Sequence, residues 1–510
     1  MSLNLSGKDL PGPAMRNAGI LLHITSLPGE FGIGDMGPEA RKFADFLSRS
    51  KQSFWQLLPM NPVGAEQSFS PYSSISSMAG NTLLISPEQL VLDGLIKVGE
   101  ISIVKGTSTD KVDWKLAQDS RHKIFRIAYQ NFNRDKKRSQ TFKRFCEQEN
   151  YWLNDFALYV VLKEHHNNKP WYTWPVPYRN RNANVLHAFV TSNDDAIQYV
   201  KWQQFVFYHQ WNLLKAYCNQ SGIHLFGDLP FYVSYDSADV WSHTEIFNVN
   251  EKGKMTGVAG VPPDYFNDNG QLWGMPTFRW DILKKNKYRW WIQRIRKNME
   301  MYDRLRLDHF RAFADYWDVP ANHVTAKRGK WKPGPGADFF IALKKTFGHL
   351  PFVAEDLGDI NEAVYKLRDD FKFPGMKVLQ FAFGDTMPTS DYIPHNYTSN
   401  FIVYTGTHDN NTTKGWYRKN ISIKERRLLK KYFDKTIDEN NISYELCRLA
   451  YSTVANTVIL PMQDVLGLDE HARINTPAST KNNWQWRMTP TVLNTAIERQ
   501  LAEWVVLFNR

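Results

Sequence analysis

The chain has 510 residues, 42% of them apolar, with a formal net charge of +11 and a sequence pI near 9.2. That length can bury a large core, whereas no apolar run approaches the roughly 20 residues that a membrane helix requires. Met1 to Gly12 lacks the basic-then-apolar layout of a secretory signal, so a membrane protein and a secreted one are both set aside and a cytoplasmic protein is expected. The positive charge is scattered, and its densest runs, Lys136-Lys137-Arg138 and Arg426-Arg427-Leu428-Leu429-Lys430-Lys431, fall in polar, helix-like stretches. They read as solvated faces, and no specific nucleic-acid partner is expected. Cys146, Cys218 and Cys447 form neither a CxxC motif nor a Cys/His metal pattern, which suits a reducing compartment.

In chain order, short apolar runs alternate with helix-length segments. The strands expected are Gly19–His23, Ser53–Leu58, His224–Asp228, Leu305–Asp308, Phe352–Glu355, Met376–Phe381, Asn400–Thr405 and Val458–Pro461. Helices are expected over Pro38–Ser50, Asp195–Cys218, Ile282–Tyr302, Asp338–Phe347, Asn361–Asp370 and Ser422–Asp438; the first opens on a proline and carries Phe43, Phe46 and Leu47 on one face. Eight such repeats argue for an α/β fold, a closed (β/α)8 TIM barrel, over an open sheet. The gap between the second and third strands is far longer than a crossover needs. Residues 59–193 are therefore expected to form an inserted, mainly helical subdomain and 235–280 a Gly/Pro-rich lid or subsite wall, within a single catalytic unit spanning 1–510.

In such a barrel the C-terminal strand ends carry the chemistry. They supply Asp228, Asp308, Glu355 and Asp409. Clustered acids at a barrel mouth suit two readings, a Mg²⁺ or Ca²⁺ site or the carboxylate pair that cleaves an acetal bond between sugars. Neighbours favour the second. Arg306 alternates onto the same side as Asp308, where a guanidinium keeps a carboxylate ionised and competes with a metal. Glu355 follows three apolar residues, so desolvation and a nearby anionic Asp308 should keep it protonated as a general acid. Asp356 faces the other way as support, and His408 with Asp409 suits the hydroxyls of a sugar. A share of 14% aromatic residues adds flat faces of the kind that stack on sugar rings.

Several motifs together carry a resemblance across nearly the whole chain. They are Gly19-Ile20-Leu21-Leu22-His23-Ile24-Thr25-Ser26-Leu27-Pro28-Gly29, Ser70-Pro71-Tyr72, Gly227-Asp228-Leu229-Pro230, Gly260-Val261-Pro262-Pro263-Asp264-Tyr265-Phe266 and Gln271-Leu272-Trp273-Gly274. Arg306-Leu307-Asp308-His309-Phe310-Arg311, Ala354-Glu355-Asp356-Leu357-Gly358, Gly406-Thr407-His408-Asp409-Asn410 and Arg473-Ile474-Asn475-Thr476-Pro477 follow in the same order. The chain thus resembles the 4-α-glucanotransferases, the amylomaltase or disproportionating-enzyme family of α-amylase-like retaining barrels. The resemblance implies that Asp308 is the nucleophile, Glu355 the acid/base and Asp409 the transition-state stabiliser, assisted by His408, Arg306 and Asp228. It implies that Tyr72 stacks on the reacting ring and that Ser70, Trp273, Asp385 and Asn475 line a glucan groove. Its substrates would be α-1,4-glucans such as maltooligosaccharides, starch or glycogen, with glucose as an acceptor and with no cofactor or metal. Two departures stand out: Asn411 where the family favours an acid, and Ala312 where it favours glycine. No N-terminal starch-binding module is expected.

Overall fold

A computed structural model describes residues 16–107, 109–263 and 268–510. Eight parallel strands form its centre: β1 Asn17–Leu21, β2 Phe54–Gln56, β3 His224–Leu229, β4 Arg304–Leu307, β5 Phe352–Ala354, β6 Gly375–Val378, β7 Phe401–Tyr404 and β8 Thr457–Pro461. They hydrogen-bond in the order β6-β7-β8-β1-β2-β3-β4-β5. The remaining seam, β5 against β6, is bridged where the Ala354 N–H donates to the Pro374 carbonyl at 2.9 Å. The Asp356 carboxylate accepts the Met376 N–H across it at 2.8 Å. With helices packed outside, this is the α/β barrel that the strand rhythm predicts.

Each expected strand is found, with shifted ends. The run Met376–Phe381 is strand only to Val378, and Leu379–Phe381 turn into a 3₁₀ helix, because the Gln380 N–H leaves the ladder to donate to Thr405 O at 3.2 Å. Alternation along β4 decides what fills the barrel. Leu305 and Leu307 are buried, while Arg304 reaches across to Thr457 Oγ1 of β8 at 3.3 Å over the ring of Phe54. Above it, the Tyr404 hydroxyl donates to Gln56 Oε1 at 2.9 Å. The barrel is a packed interior whose polar groups bond to each other.

The first helix, Pro38–Arg49, buries Phe43, Phe46 and Leu47, and Phe43 meets Trp55 edge-on at 4.9 Å; each such side chain contributes roughly 1.5–3 kcal/mol by leaving water. The helix expected over Ile282–Tyr302 is in fact two, Trp280–Lys285 and Arg289–Met301. Lys287 and Tyr288 between them have φ of 53° and 56°, a left-handed break that no periodicity announces. The break lets Trp280 stack on Trp291 (6.0 Å, 22°) and buries Tyr288; packing overrides helix propensity here.

Between β2 and β3 the described chain is mainly helical and ends in the 27-residue helix Asp194–Gln220. That helix holds the chain that follows Ser70 and Tyr72. The Gln204 side chain accepts from the Gly80 N–H (2.8 Å) and donates to its carbonyl (3.0 Å), and Gln210 does the same for Ser86. The stretch read from sequence as a Gly/Pro-rich wall contains two strands, Gly257–Val261 and Gln271–Pro276. With Asp315–Pro320 and Lys330–Pro333, which follow β4, they build a second, antiparallel sheet beside the barrel mouth. Asp264, Tyr265 and Phe266 of the corresponding motif lie outside the described residues.

Candidate active site

The barrel ladder runs one residue past the named strands and sets the acids side by side. The Asp308 N–H donates to Leu229 O at 3.0 Å, and the Glu355 N–H donates to Leu307 O at 3.1 Å. Asp228, Asp308 and Glu355 thus project from neighbouring strand ends at one rim. Among the described residues no group of three or more metal-ligating side chains is placed to hold an ion. A fixed cation stands among these acids instead: Arg306 Nη1 donates to both Asp228 oxygens at 2.8 Å and meets Asp308 Oδ1 at 2.8 Å. Burial alone would lower the guanidinium's pKa, but Asp228 and Asp308 outweigh it and hold it well above its ordinary value. The Asp228 side chain is fully buried, whereas that of Asp308 keeps 26% exposure. A reactant can reach the second and not the first.

Glu355 occupies a different environment at the end of the next strand. Burial behind Phe352-Val353-Ala354 is the main cause of a pKa pushed up to about 7; Arg306 opposes the rise and Asp308 adds to it. Its Oε2 accepts the His309 N–H at 2.8 Å and its Oε1 the Leu357 N–H at 3.1 Å, so the carboxyl is aimed as well as desolvated. His309 makes that bond from a left-handed backbone, φ 48°. Its ring meets Trp273 edge-on at 5.0 Å, and Tyr232 packs on both.

Asp409 faces this group from the loop after β7. Its carboxylate accepts from the Asn475 amide at 2.7 Å and lies 3.4 Å from His408 Nε2, while the Arg473 guanidinium donates to its carbonyl at 2.7 Å. The loop is fixed from within by Asn410 Oδ1, which accepts from the Thr407 N–H and hydroxyl. Buried Asp464 fixes it from below, accepting from the Thr405 hydroxyl and the Thr413 N–H. Tyr72 links the two halves. Its hydroxyl donates to Asp228 at 2.7 Å, and its ring stacks on His408 at 5.0 Å and 12°, with Trp484 tilted beside both. Burial, reinforced by Asp228, raises the Tyr72 phenol well above its ordinary value, so it remains a donor. Ser70 Oγ accepts the Tyr72 N–H at 3.3 Å and shapes this turn.

Of the residues singled out from sequence, Asp228, Arg306, Asp308, Glu355, His408, Asp409, Tyr72, Ser70, Trp273 and Asn475 converge on one mouth. Asp385 stands apart, its exposed carboxylate paired with Lys424 at 2.7 Å. Sequence reasoning missed His309 and Leu357 as backbone donors, although both sit in the quoted motifs. It also missed Arg473 and Trp484, which approach only through tertiary folding.

Known proteins share this sequence and fold. The family model described as 4-alpha-glucanotransferase matches residues 22–494. A 4-alpha-glucanotransferase from Synechocystis is 42% identical over 500 residues, covering 97% of this chain and 98% of the relative. One from Streptococcus pneumoniae is 39% identical over 497 residues, 97% of each. Among solved structures, the amylomaltase of Streptococcus agalactiae superposes with a TM-score of 0.93 at 39% identity, covering 97% of this chain and 99% of that one. The chain belongs to the 4-α-glucanotransferase family, and it is a transferase acting on α-1,4-glucans.

Proposed function

We propose that the enzyme moves a segment of an α-1,4-glucan to the 4-OH of an acceptor glucan or glucose through a covalent glycosyl-enzyme. An Asp308 oxygen attacks the anomeric carbon as the C1–O bond breaks, and the Glu355 proton passes to the departing 4-oxygen. Glu355, now a carboxylate, takes the proton of the incoming 4-OH, whose oxygen displaces Asp308 and restores it. Two inversions give net retention. Asp409 and His408 hold the hydroxyls of the distorted ring, Tyr72 stacks against it, and Trp273 with Asn475 lines the groove; Asp385, paired with Lys424, is read as an outer part of that groove. The observation that carries the reading is the contrast between adjacent acids, one ion-paired to Arg306 at 2.8 Å and one pushed up to about 7. The amylomaltase of S. agalactiae was solved in complex with acarbose, which supports an α-glucan site here.

Residues 59–193 are read as a subdomain that holds the Tyr72 loop against the barrel, and 235–280 as the wall that carries Trp273. The free cysteines Cys146, Cys218 and Cys447 support a reducing, cytoplasmic setting, and among the described residues no helix is long and apolar enough to cross a membrane. An α-amylase-type hydrolase would use the same acids with water as acceptor. Incubation with maltotriose separates the two. Longer maltooligosaccharides together with glucose are expected; shortening alone would sink the transfer reading.

A further inference from the structure

The antiparallel sheet beside the mouth carries a row that the reaction at Asp308 does not use. Cross-strand register aligns Trp331 with Trp317, Trp317 with Gly260 and Gly260 with Leu272, so these four positions lie in one line across one face of the sheet. Trp273, next to Leu272, belongs to the other face. The line begins at an exposed tryptophan: Trp331 retains 37% exposure and meets Trp317 at 5.2 Å. Trp317 and Leu272 are half-buried. Gly260 leaves the row without a bump, since a Cβ there would overlap the Gln271 carbonyl.

The row is tied to the catalytic rim. The Arg311 guanidinium lies 3.6 Å from the Trp331 ring centroid, donates to Asp315 at 2.7 Å and pairs with Asp359 at 3.0 Å. Arg311 stands three residues after Asp308, and Asp359 four after Glu355. An arginine with both acids engaged cannot swing away, so the indole is braced in place. The row spans three strand spacings, about 14 Å; its two indoles are set edge to face at 63°, and with Arg311 on one side of Trp331 the other side is left to an extended ligand with apolar faces and hydroxylated edges.

We propose that the row Trp331, Trp317 and Leu272 is a remote platform for α-1,4-glucan, holding sugar units of a long chain well beyond those at the scissile bond. The occupant is the enzyme's own polymeric substrate, because the row is apolar and is joined through Arg311 and Asp359 to the acid/base loop. The proposal rests on the α-glucan reading above and adds chain-length selectivity to it.

The test compares wild type, Trp331→Ala, Trp331→Phe and Leu272→Ser on amylose and on maltotriose, which is too short to span both the cleavage site and the strip. The expected result for Trp331→Ala is a fall of about tenfold in the ratio of kcat/KM for amylose to that for maltotriose, the effect of removing one aromatic face from beneath a sugar ring. Leu272→Ser should move the ratio the same way and Trp331→Phe should restore most of it. Asp308→Asn protein, which cannot turn over, should migrate more slowly in an amylose gel than its Asp308→Asn/Trp331→Ala counterpart. A ratio unchanged in Trp331→Ala, or equal losses on both substrates, overturns the platform and leaves Trp331 as a brace for Arg311. Melting curves of each variant identify misfolding, and if Trp331→Ala unfolds, Leu272→Ser decides, by its substrate ratio and by the gel migration of Asp308→Asn/Leu272→Ser against Asp308→Asn. Wild-type turnover of maltotriose reports on transfer itself, so failure of the platform and failure of the α-glucan reading are seen separately.

Discussion

The two halves of the catalytic mouth are built on different physical terms. On the β3–β5 side, Asp228, Arg306, Asp308 and Glu355 stand on or one step beyond strands, and their states follow from burial and each other's charge. On the β7 side, Asp409 keeps 47% side-chain exposure and sits in a loop held by Asn475 and Arg473, which lie more than sixty residues away in the chain. Preorganisation therefore takes two forms. The strand half stores electrostatic work in a desolvated place, while the loop half stores only geometry. Substitutions in the first half should change chemistry, pH dependence and stability together; those in the second should change transition-state binding alone.

The largest effect is expected at the nucleophile. Asp308→Asn should lower kcat for maltotriose disproportionation by about 10⁴-fold or more, because no neighbouring group substitutes for a covalent carboxylate. Oligosaccharide binding should persist, since the variant keeps the carbonyl that Arg306 can still address. Retention of even a tenth of wild-type turnover would move the nucleophile elsewhere.

Next comes the acid. Glu355→Gln should lower kcat/KM by about 10²–10⁴-fold, and the wild-type profile should fall on its basic side around pH 7, where Glu355 gives up its proton. The same carboxyl predicts a stability effect of fixed sign. Unfolded, it titrates at 4.5; folded, at about 7. Between those values the folded state binds more protons, so wild-type stability is full below about 4.5 and declines as pH rises to about 7. The glutamine variant lacks this decline, although its amide suits only one of the donors His309 and Leu357. Its stability relative to wild type should therefore improve by on the order of 1–3 kcal/mol from pH 4.5 to pH 8, as read by denaturant melts at each pH. A flat difference would mean that Glu355 is an ordinary exposed acid.

The same division explains what the sequence could reveal. Strand chemistry is local: Arg306 and Asp308 alternate to one side because β-strands have period two, and Phe352-Val353-Ala354 foretells the desolvation of Glu355. Barrel topology then follows from the repeat. The Asp409 half is not local, and Asn475 entered only through family resemblance. Arg473 stood in a recognised motif but was given no role, and Trp484 went unnoticed, because what each touches is set by tertiary folding and not by its own neighbourhood. His309 was hidden differently: its contribution is a backbone N–H offered from a left-handed turn, and a side-chain reading does not see it. The broken helix at Lys287 and Tyr288 and the second sheet were likewise invisible, since tryptophan packing and the long-range pairing of Gly257–Val261 with Asp315–Pro320 set them.

The smallest expected effect is the sharpest probe of the loop half. Asn475→Ala removes the 2.7 Å bond to Asp409 while leaving Arg473 on its carbonyl and Asn410 bracing the loop. A hydrogen bond to a carboxylate is worth more than a neutral one, but this one faces solvent, so about 1 kcal/mol and roughly five- to tenfold in kcat/KM is expected. Two further readings belong to the same variant. Its basic limb should stay near pH 7, because Glu355 is set by burial on the opposite half, and its melting temperature should shift little, because the bond lies at an exposed loop. A displaced basic limb would show that the halves are electrostatically one, and a large loss of stability would show that the Asp409 loop carries part of the fold; either would replace the division between charge and geometry with a single coupled site.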